Sequence, residues 1–105
     1  MNVKFLSPLL FLLATATVGR VTAQCDSLGY RAAVYVSADG DSLPYRLLTP
    51  DTVVPGQRYP LVLFLHGAGE RGRDNCAQLR HGAARFADTI ARRQFPAYVL
   101  FPQCP

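Results

Sequence analysis

The run LVLFL at residues 61–65 constrains the fold of this chain more than any other stretch. Every residue in it is apolar, so no alternation marks one side for water. Such a run suits a short strand buried on both faces of a sheet. It stops at His66, and Gly67, Gly69 and Gly72 then spell G-x-G-x-x-G. AYVLF at 97–101 is a second fully apolar run. Two buried strands joined by a helical crossover form a right-handed parallel unit.

The segments around these runs fit the same scheme. AAVYVS (32–37) alternates loosely and ends at the turn signal Asp39-Gly40-Asp41. PYRLLTP (44–50) sets Tyr45 and Leu47 against Arg46 and Leu48, then breaks at Pro50, and Pro55-Gly56 marks the next turn. Asp74 or Asn75 can cap a helix. Leu79, Ala83, Phe86 and Ile90 then recur at helical spacing, as a face packed on a sheet would. Gly82 weakens the middle of that stretch, leaving one helix or two shorter ones. Arg92 and Arg93 sit where cations complement the negative end of a helix, and Phe95-Pro96 ends it. The order strand, strand, strand, helix, strand predicts an α/β fold in which an antiparallel pair leads into the parallel unit. At 105 residues the chain holds one domain at most.

The first 23 residues stand outside that domain. Lys4 gives a basic start, FLSPLLFLLATATV (5–18) is apolar, and Val21-Thr22-Ala23 offers small residues where a signal peptidase reads. The run is shorter than the roughly 20 residues of a membrane span and carries Ser7 and Pro8. Residues 1–23 are therefore read as a signal peptide and 24–105 as the mature part, secreted or periplasmic, with no membrane attachment after cleavage. A lipid-modified Cys25 is disfavoured, because Gln24 occupies the position that needs a small residue.

The mature part carries nine arginines and seven acids, interleaved along the chain, for a net +2. No basic stripe for nucleic acid emerges. Cys25, Cys76 and Cys104 all survive cleavage. They are read as small buried hydrophobes or as one bridge with a thiol left over. No cysteine or histidine pair has zinc spacing, so no metal is expected.

The glycine-rich turn admits two chemistries. A dinucleotide site would place the third glycine inside a helix, but Arg73-Asp74-Asn75 still read as loop and cap. It would also need an acid closing the next strand, which here runs into Pro102-Gln103-Cys104. Asp88 has roughly the right separation but falls inside the helical stretch, so no cofactor is expected. An oxyanion hole fits better. Acyl transfer to water builds negative charge on an oxygen, and two backbone N–H groups aimed there can lower the barrier by several kcal/mol. In hydrolases built on a parallel sheet, one donor follows the nucleophile and the other lies on an H-G-x-x loop after the third strand. His66-Gly67-Ala68-Gly69 follows the third strand here.

The run YPLVLFLHGAGERGRDNCAQLRHG, with LPYRLLTP before it and FPAYVLFPQCP after it, resembles the N-terminal third of secreted α/β-hydrolase esterases. The group in question is the phospholipase/carboxylesterase and polyhydroxybutyrate-depolymerase-like set, related to prolyl oligopeptidase-type serine hydrolases. The HGAGERG-x-DN block, the QL-x-HG that follows and the closing PQCP carry the resemblance, which spans nearly all of residues 30–105. It implies strands 1–4 and the first helix of an α/β-hydrolase sheet, with the fourth strand between the second and third. It also implies a small or polymeric carboxylic-ester substrate, a Ser/Asp/His triad and no cofactor. By the same resemblance the backbone N–H of Ala68 points into the oxyanion hole, with Gly69 the next candidate, while His66 and Gly67 position the loop.

The chain departs from that family in one large respect. The triad serine stands in G-x-S-x-G, downstream of the oxyanion loop. Ser7, Ser27, Ser37 and Ser42 all precede the loop and none is so flanked. The nucleophile and triad are therefore expected outside this stretch, which reads as an N-terminal fragment, inactive alone. His66 is then a residue that pins the loop through its ring, and His81 a surface histidine. Glu70 accepts loop N–H groups or pairs with an arginine. Cys76 and Cys104 lack the partner that makes a thiolate nucleophile. A rival reading is a non-catalytic interaction module built on a hydrolase-like half-sheet, and the sequence leaves acyl specificity and oligomeric state open.

Overall fold

The computed structural model describes residues 25–105, so the signal peptide expected at residues 1–23 lies outside the described residues. The described chain is an α/β fold built on one mixed sheet of four strands in the order β1-β2-β4-β3. Strand β1 is Arg31–Val36, β2 Ser42–Leu48, β3 Leu61–Leu63 and β4 Tyr98–Pro102. The first two form an antiparallel hairpin in which Val36 faces Ser42. Its turn is closed by Ser37, whose N–H donates to Asp41 O at 2.8 Å and whose Oγ accepts from Asp41 N–H. Strand β4 then inserts between β2, which it meets antiparallel, and β3, which it meets parallel. This is the expected α/β-hydrolase strand order.

Between β3 and β4 runs the crossover. It opens with 3₁₀ turns at Ala68–Glu70 and Ala77–Leu79, then continues as helix α1 (Ala83–Ala87) and helix α2 (Thr89–Gln94). Of the two outcomes the sequence leaves open, one helix or two shorter ones, the structure has the second. Gly82, at φ +81°, sits in the left-handed region and stops any helix running through it. Asp88 breaks the stretch again with extended backbone, and its carboxylate caps α2 by accepting from Ile90 and Ala91 N–H at 3.0 Å each. The second break resets the helical register. Leu79 and Ala83 are buried as the spacing predicts, whereas Ile90 is 66% exposed. Arg92 does more than complement a helix end: it pairs with Asp51 at 2.8 Å and donates to Thr49 O, tying α2 to the end of β2.

Cys25, Tyr30, Leu48, Leu79, Ala83, Val99 and Phe101 form the core. Phe101 is its centre, stacked on Phe64 at 4.6 Å and met edge-on by Tyr30 at 5.3 Å and Phe86 at 6.2 Å. Burial pushes the Tyr30 phenol up to about 12, against a smaller opposing pull from Arg92, and its hydroxyl donates to Ala83 O. The apolar run 61–65 is packed on one face only. Val62 and Phe64 turn inward, while Leu61, Leu63 and Leu65 are 62%, 56% and 71% exposed. Burial on both faces, expected from the sequence, is therefore not met among the described residues. The regular strand also ends at Leu63, although Phe64 N–H still donates to Leu100 O. Cys25 and Cys76 form a disulfide across 51 residues, and Cys104 is an exposed free thiol.

Candidate functional site

The segment after β3 leaves the sheet at His66 and rises into the 3₁₀ turn Ala68–Glu70. Gly67 precedes that turn in extended conformation, at φ −81° and ψ 175°. Neither Gly67 nor Gly69 needs the left-handed region, so backbone freedom does not explain them. Space is tight at Gly67, where a Cβ would stand 3.1 Å from Glu70 Oε2. At Gly69 the surroundings are open.

The turn has two donors to spare. The first N–H groups of a helical turn have no partner within it. Gly67, Ala68 and Gly69 are exposed. The N–H groups of Ala68 and Gly69 meet no hydrogen-bond acceptor among the described residues. By contrast Glu70 N–H donates to Gly67 O and Arg71 N–H to Ala68 O.

His66 fixes the direction of one of them. Cys104 N–H donates to its Nε2 at 2.9 Å, so that nitrogen is unprotonated and the ring proton sits on Nδ1. Nδ1 then donates to Gly67 O at 2.6 Å. The peptide linking Gly67 to Ala68 is planar and trans, with its C=O and N–H pointing in opposite directions. Holding the Gly67 carbonyl from the His66 and Glu70 sides therefore holds the Ala68 N–H outward on the other side.

Around this turn the remaining candidates divide into loop supports and surface groups. Glu70 is buried, with its carboxylate 3.7 Å from Arg80 Nη1 and 3.4 Å from His81 Nε2, both on exposed side chains. Arg71 donates to Pro105 O, while Arg73 is exposed. Asp74 caps the second 3₁₀ turn, its Oδ1 accepting from Cys76 and Ala77 N–H. The bond from Ala77 is the largest cause holding the Asp74 carboxyl below its ordinary range, with Gln103 and Cys76 adding to it against a desolvation cost. Asn75 adopts φ +50°, a conformation that asparagine tolerates better than most residues.

Two supports escape a reading of the sequence. Arg46 is buried inside an alternating strand. Its guanidinium donates to Asn75 O at 2.7 Å, to Asp26 at 2.8 Å and to Tyr30 O at 3.2 Å, which satisfies a buried charge. Gln103 is fully buried just beyond β4 and bonds to Glu70, Asp74 and Asn75 together. A polar residue directly after an apolar strand was the available signal for Gln103. For Arg46 it was a charge on the same side of a strand as Leu48.

Among the described residues no group of three metal-type side chains converges, and no helix is long and apolar enough to cross a membrane. A hollow of about 560 Å³ lies elsewhere, between α1, α2 and the sheet, and no residue of 66–75 lines it.

No protein-family model matches the chain, and no curated protein matches it. Among solved structures it is similar to a thermostable esterase, with 44% sequence identity and a TM-score of 0.67. The match covers 72% of this chain and 21% of that one, so the chain spans about a fifth of the length of the esterase it matches.

Proposed function

We propose that this chain belongs to a secreted carboxylic-ester hydrolase and supplies the oxyanion-hole loop of its active site. The observation that carries the reading is the 44% identity to the thermostable esterase over most of the chain. The loop geometry supports it. Ala68 and Gly69 present unpaired N–H groups at the mouth of a turn whose backbone is held from beneath by His66. In this reading the Ala68 N–H, with Gly69 N–H beside it, donates to the oxygen that gains charge as the ester carbonyl becomes tetrahedral. His66 and Gly67 position the loop and take no part in proton transfer, since both His66 nitrogens are already engaged.

The nucleophilic serine, its histidine and its acid come from a part of the protein outside residues 25–105. The reaction is acyl transfer to the serine and then to water, without cofactor or metal, on a small or polymeric ester. Within this reading, the HGAGERG and PQCP runs resemble those of the phospholipase/carboxylesterase and depolymerase-like set, which supports that group. Export follows from the N-terminal signal pattern, and the Cys25–Cys76 disulfide fits an oxidising compartment.

The test is to express the complete protein that carries this segment and assay p-nitrophenyl acetate and butyrate. Diisopropyl fluorophosphate treatment follows, with mass spectrometry. Saturable turnover, abolished by one covalent phosphoryl adduct on a serine, is the expected result. A folded complete protein that neither turns over these esters nor takes the adduct would overturn the reading in favour of a non-catalytic interaction module.

A further inference from the structure

We infer that Gln103 is a positioning residue for the oxyanion loop, acting through the loop backbone and not on substrate; the inference rests on the hydrolase reading above. Gln103 has a relative exposure of 0%, so its amide has no water to bond and must find every partner within the protein. It does so on one loop. Its Nε2 donates to Glu70 O at 3.1 Å and to Asp74 Oδ1 at 2.7 Å, and its Oε1 accepts from Asn75 N–H at 2.7 Å. A carboxamide has two N–H donors, and both are committed to residues 70–75. Its own backbone N–H donates to Pro44 O at 2.8 Å, which ties the side chain's anchor to β2.

The next residue continues the same structure. Cys104 N–H donates to His66 Nε2 on the near side of the loop, and Cys104 O accepts from Gly72 N–H on the far side. The extension of β4 therefore grips the loop at His66, Glu70, Gly72, Asp74 and Asn75. Ala68 lies between the first two of these points. Gln103 holds the carbonyl that ends the Ala68–Glu70 turn, and Cys104 holds the ring that begins it. The fit is close, since a Cβ at Gly72 would stand 3.3 Å from Gln103 Nε2.

Loss of this grip leaves the donors of Ala68 and Gly69 in place chemically but poorly aimed. A misplacement of about 1 Å can cost on the order of a hundredfold in rate. The charge that these donors meet appears only in the transition state, so the loss falls on kcat and not on KM.

The experiment uses the complete protein with p-nitrophenyl butyrate. In Gln103→Ala we expect kcat to fall about tenfold to a hundredfold with KM within about twofold of wild type. Affinity for a trifluoromethyl ketone, which forms an oxyanion on the enzyme, should fall in parallel. If a folded Gln103→Ala keeps kcat within twofold, or loses only KM, the inference is overturned. Should Gln103→Ala fail to fold, Gln103→Met decides, since it keeps the length and bulk of the side chain while removing both N–H donors and the amide acceptor. A lowered kcat with KM held within about twofold supports the inference, and a kcat within about twofold of wild type overturns it. Ala68→Pro, made in parallel, separates the two levels. If it and Gly69→Pro are both silent in folded proteins, the oxyanion reading itself fails. If it is severe while Gln103→Ala is silent, only the role of Gln103 fails.

Discussion

Replacing Gly82 by alanine should destabilise the protein for two separable reasons. Its φ of +81° costs an L-residue about 1–2 kcal/mol wherever it occurs. An added Cβ would also stand 2.8 Å from Phe64 Cε2 and 2.9 Å from Cζ, too close for van der Waals contact. Phe64 cannot yield freely, because it is stacked at 4.6 Å on the buried Phe101 and met by Phe86 at 6.1 Å. Forcing such a ring aside costs about 1–3 kcal/mol. Gly82→Ala is therefore expected to cost about 2–5 kcal/mol in all. Gly40 supplies the control, since it has φ +88° with nothing within 4 Å of a Cβ. Gly40→Ala should cost only the backbone share, about 1–2 kcal/mol. Urea unfolding of both variants at matched m-values gives the two numbers. A third variant isolates the ring. Phe64→Leu lacks the Cε2 and Cζ atoms, so Gly82→Ala in that background should lose about 1–3 kcal/mol of its cost. Equal costs for Gly82→Ala and Gly40→Ala, or a cost unchanged by Phe64→Leu, would refute the packing account of this break between the helical segments.

Three further outcomes are expected. The Cys25→Ala/Cys76→Ala variant, which opens a loop of 51 residues, should lose about 4 kcal/mol by chain entropy; chemical denaturation checks this, and a loss under about 1 kcal/mol would contradict it. Tyr30 has its folded pKa raised to about 12 from 10.0, so the unfolded chain releases that proton first. Its stability contribution is whole below pH 10 and is lost as pH rises toward 12. In denaturation midpoints Tyr30→Phe should flatten that alkaline decline, and an identical slope would exclude Tyr30 as its source. Mass spectrometry of the exported protein should find its N-terminus at Gln24; an intact Met1 or a lipid-modified Cys25 would contradict export through this signal.

The periodicities of the sequence carried the architecture because backbone pairing and side-chain burial follow them directly. LVLFL and AYVLF are adjacent parallel strands, and the Asp39-Gly40-Asp41 turn closes the leading hairpin. Burial of 61–65 on both faces did not follow, because Leu61, Leu63 and Leu65 stay more than half exposed among the described residues. The helix divided at Asp88 because a short carboxylate can cap a new helix as readily as continue an old one, and spacing alone does not separate those outcomes. At the candidate site the histidine and the glycines were legible as a motif. Their supports were not, because Arg46, Asn75 and Gln103 meet only through the tertiary fold, from β2, the loop and the end of β4.

The central claim is that the Ala68 N–H stabilises the oxyanion, and Ala68→Pro in the complete protein tests it most directly. Proline has no N–H, and the site is suited to receive it. Ala68 is the first residue of the 3₁₀ turn, where proline's fixed φ is tolerated, and Gly67 before it already has the extended conformation that proline demands. Ala68→Gly, which keeps the N–H, is the companion variant. With thermal melting matched to wild type, Ala68→Pro should lower kcat by about 10²–10³, or roughly 2.7–4 kcal/mol, with little change in KM. Ala68→Gly should stay within a few-fold. A folded Ala68→Pro enzyme with kcat near that of wild type would contradict the claim, and if Gly69→Pro alone abolished turnover, the donor would be Gly69 instead.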